Sequence, residues 1–315
     1  MLFIIGAGAL NLFIALGLSP LYEGIVRKMV RARIHSRTGP PIRQPYYDLL
    51  KLLGKENLQV APGWLLTLAP QVAFAAVLLA ALLVPMGLYR APLAGYADVI
   101  VLIYVMTTAA VAVVIGAAAS ESPYATIGAG REIMLLLVAE PVVVIALLTG
   151  VVQTHSLRLS TLAEWQLAHG LTAPTAFAAV ALFLSLQVQA GKLPFDLAEA
   201  EQELVGGPFT EMSGPRLALF KWMFWAKEVV FASILTAVFL PWPHIPLGLF
   251  GAGALAAGLA GTLAVMVNLV KILVVVALMG VVDAVMPRLR IDQALNYFLG
   301  LIFVALVGLT LAFVS

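Results

Sequence analysis

The chain has 315 residues, of which 62% are apolar, 11% are charged and none is cysteine, and its formal net charge is +2. A typical soluble domain carries roughly 25% charged residues, and a soluble fold of this size cannot cover so much apolar surface with polar atoms. The composition therefore excludes an ordinary soluble domain and indicates a protein embedded in a lipid bilayer.

Apolar segments long enough to cross a bilayer recur along the whole chain. A hydrocarbon core about 30 Å thick needs about 20 apolar residues in a helix. We predict an all-α fold with a single domain over residues 1–315 and about eight transmembrane helices. The predicted spans lie near residues 2–24, 64–86, 97–119, 132–153, 174–191, 217–240, 250–285 and 294–314. The seventh exceeds one crossing, so it forms either one long tilted helix or two pieces broken near Gly258 and Gly261.

The first span and the connection after it are distinct in charge. The span follows Met1 without a basic segment or a small-residue cleavage site, which predicts an anchor and not a cleaved signal peptide. The connection carries six of the eighteen basic residues between Arg27 and Arg43. Next, Tyr46–Leu53 has one apolar and one polar side, which predicts an amphipathic helix in the membrane interface. We expect this surface to bind phospholipid, to dock a peripheral protein, or both.

The distribution of basic residues predicts the orientation in the membrane. Thirteen lysines and arginines fall in the odd-numbered connections between the predicted spans, whereas the even-numbered connections hold only Arg90 and Arg158. Basic connections stay on the cytoplasmic side. The pattern therefore predicts that both termini face outward.

Carboxyl groups inside a predicted span indicate function or pairing, because an ionisable group at the bilayer centre costs roughly 2.5–3.5 kcal/mol. In the fourth span, Glu140 precedes Pro141, which frees the Leu137 carbonyl to bind water. Glu132 lies two turns earlier on a similar face. We favour a proton-transfer role for Glu140 over structural pairing.

The sixth and seventh spans also carry charge. The sixth holds Lys221, Lys227 and Glu228, and the first and last of these share a face of the helix. For Glu228 we again favour function over pairing. For Lys271 and Asp283 of the seventh span, function and structural pairing stay equally open.

A cluster of acids occupies a connection that should be basic. Five acids fall within sixteen residues, and apolar residues are interleaved with them: Asp196, Glu199, Glu201, Glu203 and Glu211. Packing like charges together raises the pKa of some carboxyls, and carboxyls shifted in that direction exchange protons near neutral pH. The cluster therefore predicts a proton relay.

The sequence offers no pattern for a metal or a nucleotide. Without cysteine the chain cannot form disulfides, iron–sulfur ligation or thiolate zinc sites. The four histidines lack metal-ligand spacing, and no phosphate-binding loop is present. We therefore expect no cofactor and no metal in this chain.

The acidic connection and several other segments resemble the family of respiratory complex I subunit 1, a membrane subunit of NADH-quinone oxidoreductase. The matching segments, in the order of the family, are Arg37–Pro40, Gln44–Glu56, Glu140, Pro194–Gly207, Glu211–Phe220 and Pro287–Gln293. The resemblance covers nearly the whole chain. It implies eight transmembrane helices and an outward N-terminus.

Two departures favour a particular branch of this family. Only Pro41, Ile42 and Arg43 separate two motifs that lie further apart in complex I, where the longer loop helps to form the quinone chamber. The Tyr46–Asp48 run and the Lys221–Glu228 segment look more like the related subunit of membrane-bound nickel–iron hydrogenases, including the formate hydrogenlyase subunit 4 type. We therefore favour the hydrogenase branch.

The resemblance implies a coupling subunit of an oxidoreductase complex in a prokaryotic cytoplasmic membrane. Such a subunit anchors a peripheral arm with the large and small hydrogenase subunits, which carry the nickel–iron centre and the iron–sulfur clusters. It passes charge to antiporter-like membrane subunits and thereby moves protons or sodium ions. Phospholipid is a further expected partner, and nucleic acid is not.

The resemblance also implies roles for individual residues. We expect the acidic cluster to receive the redox-linked signal, and Glu140 and Glu228, with Glu132 and Lys221, to carry protons into the membrane. Orienting or docking roles are expected for Arg37, Asp48, Arg216, Arg288 and Arg290.

Three other functions stay open. In the complex I branch, Arg37, Asp48 and the acidic loop complete a quinone site. A stand-alone cation/proton antiporter is the second, although the lopsided charge and the lack of a visible inverted repeat argue against it. The third is a structural anchor, for which the acids are dispensable but residues 192–216 are not.

Overall fold

A computed structural model of the protein describes residues 2–58, 63–88, 90–246 and 254–314, and across these ranges the regular structure consists of helices. The helices are α1 (Ile4–Ile34), α2 (Gln44–Leu53), α3 (Trp64–Leu83), α4 (Val99–Ala118), α5 (Pro123–Thr154), α6 (Leu159–His169), α7 (Ala173–Gln189), α8 (Gly214–Phe239), α9 (Ala254–Val285) and α10 (Ile291–Val314). The predicted all-α membrane fold is confirmed.

The long apolar helices account for the predicted spans. In the described part of the chain, seven helices are long and apolar enough to cross a membrane: α1, α3, α4, α5, α8, α9 and α10. The predicted fifth span corresponds to α7, which has only 17 residues. At 1.5 Å per residue it measures about 26 Å, slightly less than a hydrocarbon core of about 30 Å.

Two predicted span boundaries differ substantially from the structure, and one predicted alternative is excluded. α1 continues to Ile34 instead of ending near residue 24, and α5 begins at Pro123 instead of residue 132. In both places charged residues suggested the end of a span. Lys28 and Arg33 are exposed, but Arg31 and Arg131 are half-buried and pair with acids of other segments, and the helices continue past them. α9 runs unbroken from Ala254 to Val285, so the two-piece alternative is wrong.

Proline marks the start of several helices. α2, α5, α7 and α8 each have proline in one of the first two positions, at Pro45, Pro123, Pro174 and Pro215. Proline is favoured there because the first N–H groups of a helix have no intrahelical acceptor and its φ is already helical. These residues therefore place the turns between helices.

α8 is the central helix of the bundle. Of its most apolar 18-residue window, 83% is buried, compared with 28–44% for the other long helices, which leave a face for lipid or for partner subunits. α8 packs against α1, α2, α3 and α9, whereas α5, α7 and α10 pack on one another. The amphipathic α2 is seated by Leu49, which contacts Ala218 and Trp225 of α8.

Wide π-helical turns interrupt α1 twice, at Ile14–Leu18 and Val26–Arg31, and end α8 at Leu235–Phe239. Such turns contain an extra residue and often occur at functional sites. The two turns of α1 lie on either side of Glu23.

The connection between α7 and α8 folds back against α5. Its Gly207 has a φ of +51°, and a Cβ there would lie 1.8 Å from the carbonyl oxygen of Ala198. On α5, a Cβ at Gly128 would lie 2.7 Å from Pro208. Glycine at both positions therefore lets this connection lie directly on the helix.

We expect Gly207→Ala to destabilise this connection by about 1–3 kcal/mol or more, because the substitution combines a strained φ with a backbone clash. Gly130→Ala on α5 is the matched control, since a Cβ there meets no atom within 4 Å. Thermal unfolding in detergent measures the difference. Equal unfolding temperatures for the two variants would contradict the packing described here.

Candidate charge-relay site

A cavity of about 570 Å³ lies between α1, α2, α8 and the connections that follow α7 and α9. Of the twenty described residues that line it, eleven are ionisable. The acids are Glu23, Asp48, Asp196, Glu199, Glu228 and Asp283, and the bases are Arg27, Arg31, Lys192, Lys221 and Arg288. A single water needs on the order of 10–15 Å³ and several polar partners, so this cavity suits a cluster of water molecules.

A buried lysine lies between two carboxylates in this cavity. The Lys192 ammonium is 2.6 Å from Glu228 and 3.2 Å from Glu23. These three residues are 9%, 2% and 4% exposed. The second oxygen of Glu23 accepts a hydrogen bond of 2.7 Å from Arg27. Buried charges are tolerated only when they are paired, so each of these groups depends on the others.

The neighbouring carboxylates determine the protonation of Lys192. Burial by itself lowers the pKa of the ammonium, but the charges of Glu228 and Glu23 outweigh that effect, so the pKa of Lys192 is raised above its ordinary value. Lys192 therefore stays cationic at neutral pH.

Further ion pairs fix the segments around the cavity. Asp283 of α9 pairs with Arg31 of α1 and accepts a hydrogen bond from the backbone N–H of Leu193 at 3.2 Å. Arg288, which follows α9, donates to Asp196 at 2.8 Å. The acidic connection is thus tied to α1 and α9 at its start.

A narrower series of ionisable groups continues from the cavity into the bundle. A space of about 10 Å³, enough for about one water, joins Glu132 to Asp196 and Glu199, which also line the large cavity. The buried Lys227 ammonium lies within electrostatic range of both Glu132 and Glu140. The series therefore leads from the cavity to the middle of α5.

Glu140 ends this series inside the bundle. Its carboxylate accepts a hydrogen bond from the Thr107 hydroxyl of α4 and lines a space of about 20 Å³ beside Gln189 and Phe231. Because α5 starts at Pro123, Glu140 lies near the middle of this 32-residue helix.

The structure brings some of the predicted site residues together. Six of them line the large cavity: Asp48, Asp196, Glu199, Lys221, Glu228 and Arg288. Glu132 and Glu140 follow in the narrower series. Their roles stay predictions.

Other predicted residues lie elsewhere. Glu203 is exposed and pairs with Arg131 at 2.8 Å. This hydrogen bond lowers the pKa of the Glu203 carboxyl, opposite to the rise expected for the acidic cluster. Glu211 is half-buried, and it is not among the described residues that line the cavity. Glu201 begins a one-turn helix, but its side chain falls outside the described residues.

The predicted orienting arginines do not share one place. Arg37 and Arg290 are exposed, and the latter lies on a surface depression with Arg131 and Asp292. Arg216 is only 4% exposed and donates to the Thr67 hydroxyl of α3 at 2.8 Å. Neither Arg37 nor Arg216 is among the described lining residues of the cavity.

The sequence profile of a family described as "NADH dehydrogenase" matches residues 7–313, nearly the whole chain. The chain belongs to this family. The resemblance inferred from the sequence motifs is thereby confirmed.

Individual members of the family show which branch is similar. Formate hydrogenlyase subunit 4 of Escherichia coli K12 is 35% identical over 279 residues, which cover 87% of each chain. Hydrogenase-4 component C of the same organism is 40% identical over 233 residues, covering 72% of this chain and 73% of that one. An NADH-quinone oxidoreductase subunit of Syntrophotalea carbinolica is 31% identical over 298 residues, covering 88% and 84%. The two hydrogenase subunits are the more similar, as predicted.

A solved structure has the same fold. A chain of the membrane-bound sulfane sulfur reductase, an archaeal respiratory membrane complex, superposes with a TM-score of 0.86 at 28% identity, covering 98% of this chain and 99% of that chain. These relatives are subunits of oxidoreductase complexes, and the chain is accordingly a multi-pass membrane subunit of that type.

Several residues of the site were not predicted as functional. The main ones are Glu23, Arg27, Arg31, Lys192, Lys227 and Asp283. Glu23, Arg27 and Arg31 are spaced four residues apart on α1. Because residues at i and i+4 share a helix face, this spacing could have predicted that they lie together. Lys192 was interpreted only as a marker of orientation. Nothing in the sequence shows that it meets residues 169 and 36 positions away.

We expect Lys192→Met to lower the stability of the protein by about 3–5 kcal/mol, because removing one partner leaves buried charge uncompensated. Lys192→Arg keeps the positive charge, so we expect it to lower the stability of the protein much less. Thermal unfolding in detergent measures both.

The raised pKa of Lys192 sets the pH dependence of this contribution. The stabilisation is fully present below the ordinary lysine value of about 10.4 and is lost only as the pH rises through the higher value of the folded state. The difference between wild type and Lys192→Arg should therefore be constant across neutral and mildly alkaline pH. A stability difference that titrates near neutrality would contradict a permanently charged Lys192.

Proposed function

We propose that this chain is the membrane coupling subunit of an energy-converting, hydrogenase-type oxidoreductase complex. It links electron transfer in a peripheral arm to the movement of protons or sodium ions. The observation that carries the proposal is Lys192, buried between Glu23 and Glu228, in a charged cavity from which a series of ionisable groups leads through Glu132 and Lys227. The names of the similar E. coli subunits support the hydrogenase type.

The proposed mechanism uses the competition between two carboxylates for one cation. When a redox step in the peripheral arm delivers a proton to Glu228, its negative charge disappears and Lys192 retains only Glu23 as a counter-ion. The interaction between unit charges a few ångströms apart is worth several kcal/mol at the effective dielectric constant of a protein. Protonation at one carboxylate therefore changes the proton affinity of its neighbours.

The narrower series provides the onward path. Asp196 and Glu199 line both the cavity and the space beside Glu132. Lys227 interacts electrostatically with both Glu132 and Glu140. A proton that reaches Glu132 removes its negative charge, and Glu140 then becomes the main counter-charge of Lys227. From Glu140 the charge change acts on antiporter-like subunits that contact the outer surface of the bundle.

The partners and the orientation complete the proposal. The peripheral arm, with a large subunit that holds the nickel–iron centre and a small iron–sulfur subunit, docks at the end of the bundle that carries the basic residues. There a surface depression lined by Arg131, Glu203, Arg288, Arg290 and Asp292 offers charges of both signs. This end faces the cytoplasm, and both termini face outward.

The complex I branch remains the second candidate because an NADH-quinone oxidoreductase subunit shares 31% identity with the chain. In that case the cavity receives a quinone head group. A binding site for an organic molecule is mostly apolar with a few polar groups, whereas here eleven of twenty lining residues are ionisable. The lining therefore favours water and protons over a quinone.

We expect Glu228→Gln in the assembled complex to reduce the number of ions moved per electron, while electron transfer through the peripheral arm continues. Glu140→Gln should have the same effect. Glu121→Gln is the control, because that side chain is exposed and is not among the described residues that line the charge-relay cavity, the spaces beside Glu132 and Glu140, or the surface depression. The measurement is the ion gradient formed in vesicles per electron transferred.

An ion gradient per electron equal to that of the wild type in both Glu228→Gln and Glu140→Gln would contradict the coupling proposal. Quinone-dependent activity of the purified complex would instead favour the complex I candidate. Loss of the peripheral arm from Glu228→Gln, with unchanged coupling in whatever complex remains, would favour a purely structural anchor.

A further inference from the structure

A second cavity of about 540 Å³ lies at the opposite end of the bundle, away from the charge-relay site. It is bounded by the connection after α3, by α6, by the end of α8 with its following segment, and by α9. Of the sixteen described residues that line it, ten are apolar: Pro85, Met86, Leu88, Ala163, Leu167, Ala237, Pro241, Ile245, Pro246 and Ala264. Its volume suits a small organic molecule or part of a lipid.

The charged groups of this cavity are predominantly cationic. Among the described lining residues, Lys271 and Arg90 are the cations and Glu164 is the one acid. Arg90 and Glu164 are exposed, while Lys271 is half-buried. Burial and the nearby Lys271 charge lower the pKa of His244, so its imidazole is neutral at neutral pH. The cavity therefore has a net positive charge.

Lys271 has unused bonding capacity. Its ammonium donates a 3.0 Å hydrogen bond to the carbonyl oxygen of Pro241. Within the described ranges of the chain it forms no ion pair, in contrast to Lys192. An ammonium group has three donors, and a cation in apolar surroundings requires a counter-charge. The Lys271 ammonium can therefore bind an anion.

We propose that this second cavity binds an anionic amphiphile, whose phosphate or carboxylate head lies on the Lys271 ammonium and whose hydrocarbon chain lies between the apolar walls. Arg90 at the exposed side reinforces the attraction for the negative head. Asn268 is already used, since its amide donates to the Gly87 carbonyl at 2.9 Å and holds one wall of the cavity. A small inorganic anion matches only the cationic groups, whereas an amphiphile also covers the apolar ones.

The test uses photoreactive probes on the assembled complex in vesicles of phosphatidylcholine. Trace phosphatidylglycerol with a diazirine in its acyl chain is one probe, a diazirine fatty acid is the second, and diazirine phosphatidylcholine is the neutral comparison. We expect an anionic probe to label peptides that line the second cavity, and the phosphatidylcholine probe to label them weakly. Labelling by the phosphatidylglycerol probe would identify the bound amphiphile as an anionic phospholipid. Labelling by the fatty acid probe would identify it as a carboxylate.

Two variants make the test specific. Lys271→Met should reduce the labelling about tenfold, corresponding to one lost charge-assisted hydrogen bond. Ala163→Phe keeps the charge but fills the cavity, so it should also reduce labelling even where Lys271→Met fails to assemble. Arg158→Met is the control, because this exposed cation lies at the same end of the bundle but does not line the cavity.

Equal labelling of these peptides by the neutral and the anionic probes would overturn the proposal. So would labelling that is unchanged in Ala163→Phe. Neither outcome bears on the coupling proposal, because the two cavities have no lining residue in common in the described part of the chain.

Discussion

A buried charge is stable in a protein only while an opposite charge stays beside it, and much of this structure is arranged around that requirement. Lys192 comes from the connection between α7 and α8, Glu23 from α1 and Glu228 from α8. If α8 moved away, Glu228 would lose Lys192 as its ion-pair partner, and if α1 moved away, Lys192 would lose one of its two carboxylates. Because α8 is also the most buried helix of the bundle, the charged cavity and the packed core are stabilised together.

Composition predicted the class of fold, because a chain this apolar must form membrane helices, and the spans followed from their length. The C-terminal end of α1 and the N-terminal end of α5 were harder to predict from the sequence. Arg27 and Arg31 looked like residues in water, yet they line an internal cavity whose acids come from other parts of the chain. Charge marks the end of a span only where it meets solvent or lipid head groups. The sequence does not show which surroundings a charged side chain meets.

The acidic connection was identified as one unit, but its members have different surroundings. Asp196 and Glu199 line the cavity, whereas Glu203 lies at the surface with Arg131. Neighbours in sequence diverge here because the backbone turns between them at Ala200, whose φ is +23°, before the one-turn helix Glu201–Leu204. The partners of the central lysine are distant in sequence, and only the packing of helices brings them together. Local patterns therefore located the region of the site but not its centre.

The wide turn at Val26–Arg31 affects the geometry of α1. In a regular α-helix, side chains four residues apart drift around the axis by about 40° per step, since each turn holds 3.6 residues. A turn that holds an extra residue reduces that drift. Glu23, Arg27 and Arg31 can therefore all point towards one cavity along two successive steps. The π-helical turn thus compensates for the rotation of the α-helix. Charged residues spaced four apart in the sequence therefore lie in one row along α1.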